Sequence, residues 1–329
     1  MGLVSGKAPR IAFLFPGQGS QAVGMAKAVF DAFPEARDVF TRADRVLAEP
    51  ISRLCFEGPM ETLRRTATTQ PAILTASLAV WAALRSKLGG EILQMADCMA
   101  GHSLGEYTAL AAAQAIDLED AVTIVRKRGE YMQDAVPEGG GAMAAIVGAS
   151  LETVEGLCRK AAEGEVLAPA NLNAPDQTVV AGHTAAVERL GALAKAHGVR
   201  KVLPLPVSTP FHCELMRPAA ERLATDLDSL EIRDPAVPIV TNVHAEAKTR
   251  SVDLRDALGR QVVAAVRWVE SVRAMRSRGV RTVVEVGPGR VLTGLARRID
   301  PELTLINVET PEGIEAAISK ISAIQREGH

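Results

Sequence analysis

Aromatic residues are scarce in this chain of 329 residues: Phe, Trp and Tyr together make up 3% of it. Any core must therefore be built from aliphatic side chains and alanine. With 47% hydrophobic and 23% charged residues, the composition is that of an ordinary α/β protein with a core of useful size. The length predicts one large domain and one smaller one.

Cysteine is also rare, and the four residues are far apart at positions 55, 98, 158 and 213. The chain contains no CxxC pair and no Cys/His cluster of the kind that binds zinc. This spacing argues against a disulfide framework and against a metal site. It fits a protein of the reducing cytoplasm, which is the location we expect.

An excess of one charge is missing as well, because 37 basic and 39 acidic residues leave a net charge of −2. No basic run is interleaved with aromatics, so no nucleic-acid partner is expected. The longest apolar stretch, residues 72–84, is too short to span a bilayer and predicts a buried helix instead. Residues 1–10 lack the apolar segment of a signal peptide. We expect no membrane association.

Short apolar runs alternate with helical segments through most of the chain. Residues 11–15 (IAFLF) and 281–286 (RTVVEV) are stopped by glycine and proline, as buried strands are. This alternation predicts an α/β fold with a mostly parallel sheet. Between residues 142 and 207 the predicted order is β-α-β-β-α-β, which is ferredoxin-like. We therefore expect a large domain of residues 1–138 and 207–329, with residues 139–206 inserted after a glycine-rich hinge.

A candidate nucleophile lies in residues 101–105 (GHSLG), which match the pattern G-x-S-x-G. In that pattern the serine stands at a tight turn between a strand and a helix, and its hydroxyl is exposed. Residues 97–100 can form the strand and residues 104–115 the helix, whose first N–H groups would face a developing oxyanion. A structural Gly/Ser turn is the alternative, and this context slightly favours Ser103 as a nucleophile.

A serine nucleophile needs a base, and six histidines are available. His212 follows the last predicted strand of the insert, at a domain junction, where clefts form. A histidine that merely caps the helix beginning near Glu214 is an equally good interpretation. No acidic third member stands out, so a Ser–His dyad and a triad both remain open.

Arg128 is a charge on the apolar face of a predicted helix. Residues 118–135 form an amphipathic pattern, and Arg128 lies on its stripe, three residues after Val125 and four before Met132. A buried guanidinium needs an anionic partner. That partner is either an internal carboxylate, in a structural ion pair, or a substrate carboxylate held by two hydrogen bonds.

Together these segments resemble the malonyl-CoA:acyl carrier protein transacylase family, and they are also similar to the acyltransferase domains of polyketide synthases. The nucleophile motif and the N-terminal GQGSQ are highly specific in combination. The matching stretches cover almost the whole chain: residues 15–21 (FPGQGSQ), 69–72 (TQPA), 101–107 (GHSLGEY), 128–129 (RG), 208–216 (STPFHCELM) and 285–289 (EVGPG).

The resemblance implies an α/β-hydrolase-like large domain with a ferredoxin-like insert. It implies transfer of a malonyl group from malonyl-CoA to the phosphopantetheine thiol of an acyl carrier protein, in fatty-acid or polyketide synthesis and without a bound cofactor. The resemblance implies that Ser103 is the nucleophile, that His212 is its base, and that the main-chain N–H groups of Gln18 and Leu104 form the oxyanion hole. It implies that Arg128 binds the malonyl carboxylate and that the main-chain carbonyl of Gln261 orients His212. Gln70 and Asn173 are expected to line the site.

Phe211 stands directly before the candidate base. In the polyketide relatives a Phe at this place accompanies malonyl, so the resemblance implies a pocket without room for an α-methyl branch; simple packing is the alternative. Rival functions are an acyl hydrolase, a trans-acting polyketide acyltransferase, and a non-catalytic module that binds carrier proteins. Arg217 and Arg290 are candidates for contacts with an acidic carrier.

Overall fold

The computed structural model describes residues 10–207 and 209–327. Two parts of the sequence predictions lie outside this range: residues 1–9 of the segment 1–10, in which no signal peptide is expected, and Ser208 of the 208–216 motif. The strands within it are β1 (Arg10–Phe15), β2 (Ala96–Gly101), β3 (Gly141–Val147), β4 (Leu167–Ala174), β5 (Gln177–His183), β6 (Lys201–Pro204), β7 (Ile239–Val240), β8 (Ala247–Lys248), β9 (Val280–Val286) and β10 (Thr304–Val308).

The helices in the described part of the chain pack around two sheets. They are α1 (Lys27–Ala32), α2 (Pro34–Leu47), α3 (Ile51–Glu57), α4 (Met60–Leu63), α5 (Thr66–Leu88), α6 (Ile92–Met95), α7 (Leu104–Ala112), α8 (Leu118–Asp134), α9 (Leu151–Ala162), α10 (Thr184–Ala194), α11 (Arg217–Ser229), α12 (Ser251–Gln261), α13 (Trp268–Ser277), α14 (Val291–Ile299) and α15 (Pro311–Glu327). Short 3₁₀ turns occupy Lys195–His197 and Glu214–Met216.

The larger sheet has the strand order β10-β9-β1-β2-β7-β8, in which only the β7–β8 pair is antiparallel. Five of the six residues of β1 are buried, because helices cover both faces of the sheet. Parallel strands with apolar residues on both faces produce the continuous hydrophobic runs seen in the sequence. The predicted α/β fold with a mostly parallel sheet is confirmed.

The smaller sheet is antiparallel, with the order β4-β5-β3-β6, and α9 and α10 are its connecting helices. This is the predicted ferredoxin-like arrangement. β6 ends at Pro204, three residues earlier than expected, since Pro206 has no N–H group to continue a ladder. Strand β4 of this smaller sheet is tied to the segment between α12 and α13 by main-chain bonds from the Leu172 N–H to the Val266 carbonyl (2.8 Å) and from the Val266 N–H to the Ala170 carbonyl (2.9 Å).

Helix α5 contains the apolar run 72–84 and extends it to 23 residues. Among the residues that the structure describes, α5 alone has the length and apolar composition that a membrane span requires, and 83% of its most apolar window is buried inside the protein. It packs against α2 and α8. Its hydrophobicity on all sides is therefore that of a central core helix.

At the turn between β2 and α7, three main-chain segments come into close contact: the end of β1, the end of β2 and the start of α7. A Cβ atom on Gly105 would lie 2.1 Å from the carbonyl oxygen of Phe15, at the end of β1. One on Gly101 would lie 1.9 Å from the carbonyl carbon of Gly105. Only glycine fits at either position. Ser103 is thereby held at the carboxyl edge of the parallel sheet, where α/β folds place their sites.

Replacing Gly105 by alanine should destabilise the protein, because the added methyl group collides with main-chain atoms that cannot move aside. We expect the free energy of unfolding to fall by about 1–3 kcal/mol. The matched control is Gly294→Ala on α14, where nothing lies within 4 Å of the new methyl group. The control should be neutral, or stabilising by up to about 1 kcal/mol. Equal denaturant midpoints for both variants would contradict this account.

Candidate active site

Ser103 adopts a strained main-chain conformation between β2 and α7, with φ 52° and ψ −108°. A non-glycine residue takes such angles only when its surroundings enforce them. Asn242, just after β7, does so from the neighbouring strand. Its Oδ1 accepts from the Ser103 N–H at 2.7 Å, and its Nδ2 donates to the Gly101 carbonyl at 2.7 Å. The hydroxyl is thus presented at a sharp strand-to-helix turn.

His212 lies against the candidate nucleophile: its Nε2 is 2.7 Å from Ser103 Oγ. Its other nitrogen, Nδ1, is 2.9 Å from the main-chain carbonyl oxygen of Gln261. A carbonyl oxygen can only accept, so Nδ1 carries the proton and Nε2 is free to accept from the serine hydroxyl. Both ring nitrogens are engaged in the site, and the helix-capping interpretation of His212 does not describe this geometry.

The imidazole of His212 is buried, with 3% of the residue exposed. Burial, reinforced by the positive charge of Arg128, lowers the pKa of His212 from 6.5 to about 3. Both effects disfavour the protonated ring. The resting histidine is therefore neutral throughout the physiological range, the form in which it can accept a proton from Ser103.

Arg128, on α8, is 1% exposed and reaches the same point. Its Nη2 donates to Ser103 Oγ at 3.1 Å and to the Gln261 side-chain oxygen at 3.0 Å, and its Nη1 donates to the Gln70 side-chain oxygen at 2.7 Å. All three acceptors are neutral. Within residues 10–207 and 209–327, no carboxylate lies within 4 Å of the guanidinium, so the structural ion pair considered above is not formed.

A cavity of about 60 Å³ lies between these groups. Its lining includes the predicted residues Gln18, Gln70, Leu104, Arg128 and Phe211, together with Ser103, His102, Met132, Asn171 and His212. Asn173 is placed differently: its Oδ1 is 2.8 Å from His102 Nε2. Along β4, the residue two positions earlier, Asn171, is the one on the cavity wall.

Leu104 is the first residue of α7, and N–H groups in the first turn of a helix have no acceptor within it. Gln18 stands in the turn after β1 and lines the same cavity. A helix start and a strand-end turn that converge beside a serine hydroxyl form the arrangement that stabilises an oxyanion in acyl transfer. With a neutral base at 2.7 Å from the hydroxyl, the site has the parts of a covalent acyltransferase.

Comparison with known proteins agrees with this chemistry. The acyl transferase domain family matches residues 12–300. The chain belongs to this family. It is 47% identical over 309 residues to the malonyl CoA-acyl carrier protein transacylase of Escherichia coli, covering 94% of this chain and 99% of the relative. It is 45% identical over 313 residues to the transacylase of the same name from Bacillus subtilis, covering 95% and 97%.

Solved structures of this acyl transferase family share the fold. An acyl carrier protein S-malonyltransferase from Vibrio cholerae superimposes with a TM-score of 0.90 at 45% identity, covering 94% of this chain and 99% of that one. A malonyl-transacylase in complex with a type II polyketide synthase acyl carrier protein gives a TM-score of 0.91 at 43% identity, with the same coverage. The family resemblance found in the motifs is confirmed.

Two buried polar residues of the site were not foreseen from the sequence. Asn242 holds the nucleophile turn, and Glu106 accepts from the Asn242 main-chain N–H (3.0 Å) and the Gln261 side chain (2.8 Å). Burial raises the pKa of Glu106 to about 7. A signal existed for Glu106, because it is a carboxylate within an apolar helix, as Arg128 is a cation on an apolar face.

A wider cleft of about 550 Å³ adjoins the cavity and shares Gln18 with it. It runs between the start of α5 and the segments on either side of the insert, and its lining includes Thr66, Val136, Val207 and Thr209. The described residues contain no group of three His, Cys, Asp or Glu side chains placed to hold a metal ion. The narrow cavity at Ser103 is thus bordered by a broader cleft on its Gln18 side.

The lowered pKa of His212 has a consequence for pH dependence. Since the neutral base is the active form, kcat/KM for serine acylation should stay level from pH 8 down to about pH 5. Malonyl-pantetheine is the substrate to use, because it has no phosphate that titrates in this range. An acid limb near the ordinary histidine pKa of 6.5 would contradict the neutral, buried base.

Proposed function

We propose that this chain transfers a malonyl group from malonyl-CoA to the phosphopantetheine thiol of an acyl carrier protein, in the cytoplasm, for fatty-acid or polyketide synthesis. One observation carries the proposal: the buried guanidinium of Arg128 donates to Ser103 Oγ at 3.1 Å, and no carboxylate of residues 10–207 and 209–327 pairs with it. An acyl group that ends in a carboxylate supplies the missing anion.

In the first step His212 accepts the Ser103 proton while Oγ attacks the thioester carbonyl carbon. The N–H groups of Leu104 and Gln18 stabilise the tetrahedral oxyanion. The carbon–sulfur bond then breaks, His212 returns the proton to the sulfur, and coenzyme A leaves as a thiol. A malonyl ester of Ser103 remains. The Gln261 carbonyl keeps the His212 ring in the tautomer that both proton transfers need.

In the second step the thiol of the carrier attacks the ester carbonyl, with His212 again as the base. The sulfur–carbon bond forms, the ester bond breaks, and Ser103 regains its proton. Since coenzyme A leaves before the carrier binds, the kinetics are ping-pong. The small cavity of about 60 Å³ limits access of water to the ester, and the adjoining cleft of about 550 Å³ is the approach that we assign to the pantetheine arm.

Arg128 also selects the substrate. Its bond to Ser103 Oγ is the contact that a malonyl carboxylate replaces once the serine is esterified. An acetyl group leaves the buried cation without an anion, at a cost of about 3–5 kcal/mol. Gln70 and Gln261 hold the guanidinium plane in place for a two-pronged contact. Phe211 narrows the same cavity, in keeping with a malonyl rather than a branched acyl group.

The domain division that we propose is the one the sequence indicates, with residues 139–206 as the ferredoxin-like insert. The antiparallel sheet from Gly141 to Pro204 supports it. Of the two candidate contacts with the carrier, Arg217 already donates to both carboxylate oxygens of Glu214. Arg290 is exposed and is the better candidate.

The covalent intermediate is the first test. Intact-mass measurement after mixing with malonyl-CoA should show a single malonyl adduct on the wild type. The Ser103→Ala variant should show none, because it lacks the attacking oxygen, while its melting temperature should remain close to that of the wild type. An adduct that persists in Ser103→Ala would mean that another residue is the nucleophile.

The role of Arg128 is tested by comparing acyl groups. Arg128→Ala should lower the malonylation rate by about 150–5,000-fold, the equivalent of about 3–5 kcal/mol, and acetylation much less. The matched control is Arg126→Ala on the same helix, whose side chain pairs with Glu49 outside the cavity. If Arg128→Ala lost malonyl and acetyl transfer equally, Arg128 would have a structural role and would not select the acyl group.

A further inference from the structure

Glu106 lies in a buried hydrogen-bond network behind the reacting groups. One of its oxygens, Oε2, accepts both from the Gln261 Nε2 (2.8 Å) and from the Asn242 main-chain N–H (3.0 Å). The residue is fully buried. Asn242 follows β7, Gln261 ends α12, and Glu106 is on α7. One carboxylate oxygen thus ties together three segments that are far apart in the sequence.

Gln261 connects this network to the chemistry. Its main-chain oxygen accepts from His212 Nδ1, and its side-chain oxygen accepts from Arg128 Nη2. Its Nε2 donates to the Ser103 carbonyl at 3.1 Å as well as to Glu106. The amide has one workable orientation, because its oxygen faces a donor and its nitrogen faces acceptors. A shift of Gln261 would move the acceptor of the base and the neighbour of Arg128 at once.

We propose that Glu106 is a positioning residue for acyl transfer. It anchors the Gln261 side chain, and with it the end of α12, so that the Gln261 carbonyl keeps His212 aligned on Ser103. The same oxygen of Glu106 holds Asn242, whose side chain binds the Ser103 N–H. The inference rests on the proposed function, since it assigns a role within that reaction.

The length of the Glu106 side chain, rather than its charge, is the property that the positioning role requires. Glu106 makes no salt bridge to Arg128, because the Gln261 amide stands between them. Its second oxygen, Oε1, has no hydrogen-bond partner among the described residues. A carboxylic acid protonated on Oε1 still accepts both bonds at Oε2, and a glutamine can present its amide oxygen at the same place. The rise of the Glu106 pKa to about 7 is therefore compatible with the role.

Two conservative variants distinguish the effect of side-chain length from the effect of charge at position 106. Glu106→Gln keeps the length and loses the charge, whereas Glu106→Asp keeps the charge and is shorter by one methylene group. Rate constants and KM for acylation are measured by quenched-flow intact mass, with malonyl-CoA and with acetyl-CoA. We expect Glu106→Gln to stay within about threefold of the wild-type rate constant. Glu106→Asp should lose about 30–100-fold with both substrates and change KM less, as a misplacement of about 1 Å does.

Gln261→Ala is the second approach, because it removes the Glu106 contact from the other side, together with the side-chain contacts of Gln261 to Arg128 and to the Ser103 carbonyl. It should lower the acylation rate constant at least as much as Glu106→Asp, and the double variant should lose little more than Gln261→Ala alone. Gln261→Ala tests the contact even if Glu106→Asp folds poorly, and rates are normalised to the folded fraction, which is measured for each variant together with its melting temperature.

Three results would overturn the inference. The first is a Glu106→Asp variant that is at least as active as Glu106→Gln, and the second is a double variant in which the two losses add. The third is a Glu106→Asp loss that is confined to malonyl-CoA, because it would place the effect on Arg128 alone. In each of these cases the wild type still forms its malonyl adduct, and the proposed function stands. If the wild type forms no adduct, the proposed function fails, and this inference fails with it.

Discussion

A buried positive charge beside the nucleophile is the constraint on which the rest of the site depends. Arg128 is 1% exposed, and its acceptors within the part of the chain that the structure describes are neutral oxygens of Gln70, Gln261 and Ser103. Such a cation is costly to keep away from water unless an anion arrives. The protein thus retains an incomplete interaction beside Ser103, and we propose that the distal carboxylate of the acyl group completes it.

The same charge shapes the base. Burial and Arg128 together keep His212 neutral, so the imidazole is ready to accept a proton. A carboxylate in contact with His212 Nδ1 would bring a negative charge near Arg128 and compete with the substrate. The Gln261 carbonyl orients the ring without adding one. The carboxylate of Glu106 is separated from Arg128 by the side-chain amide of Gln261. It binds that amide and leaves the guanidinium free for the substrate.

Much of this could be predicted from local sequence. The order of strands and helices follows from apolar runs and turn residues, Ser103 from its motif, and Arg128 from its place on an apolar stripe. The network behind them could not, because Glu106, Asn242 and Gln261 come from separate segments that only the tertiary fold brings together. The position of Asn171 rather than Asn173 on the cavity wall depends on strand register and irregular pairing in β4, which no single residue reveals.

The central claim is that Arg128 receives the carboxylate of the acyl group. The most direct measurement is a crystal structure of the malonyl-enzyme, trapped by soaking with malonyl-CoA in the absence of carrier. We expect electron density for an ester on Ser103, with both distal carboxylate oxygens within about 3 Å of Arg128 nitrogens. A malonyl carboxylate that points into the outer cleft, with Arg128 still bound only to Gln70 and Gln261, would contradict the account.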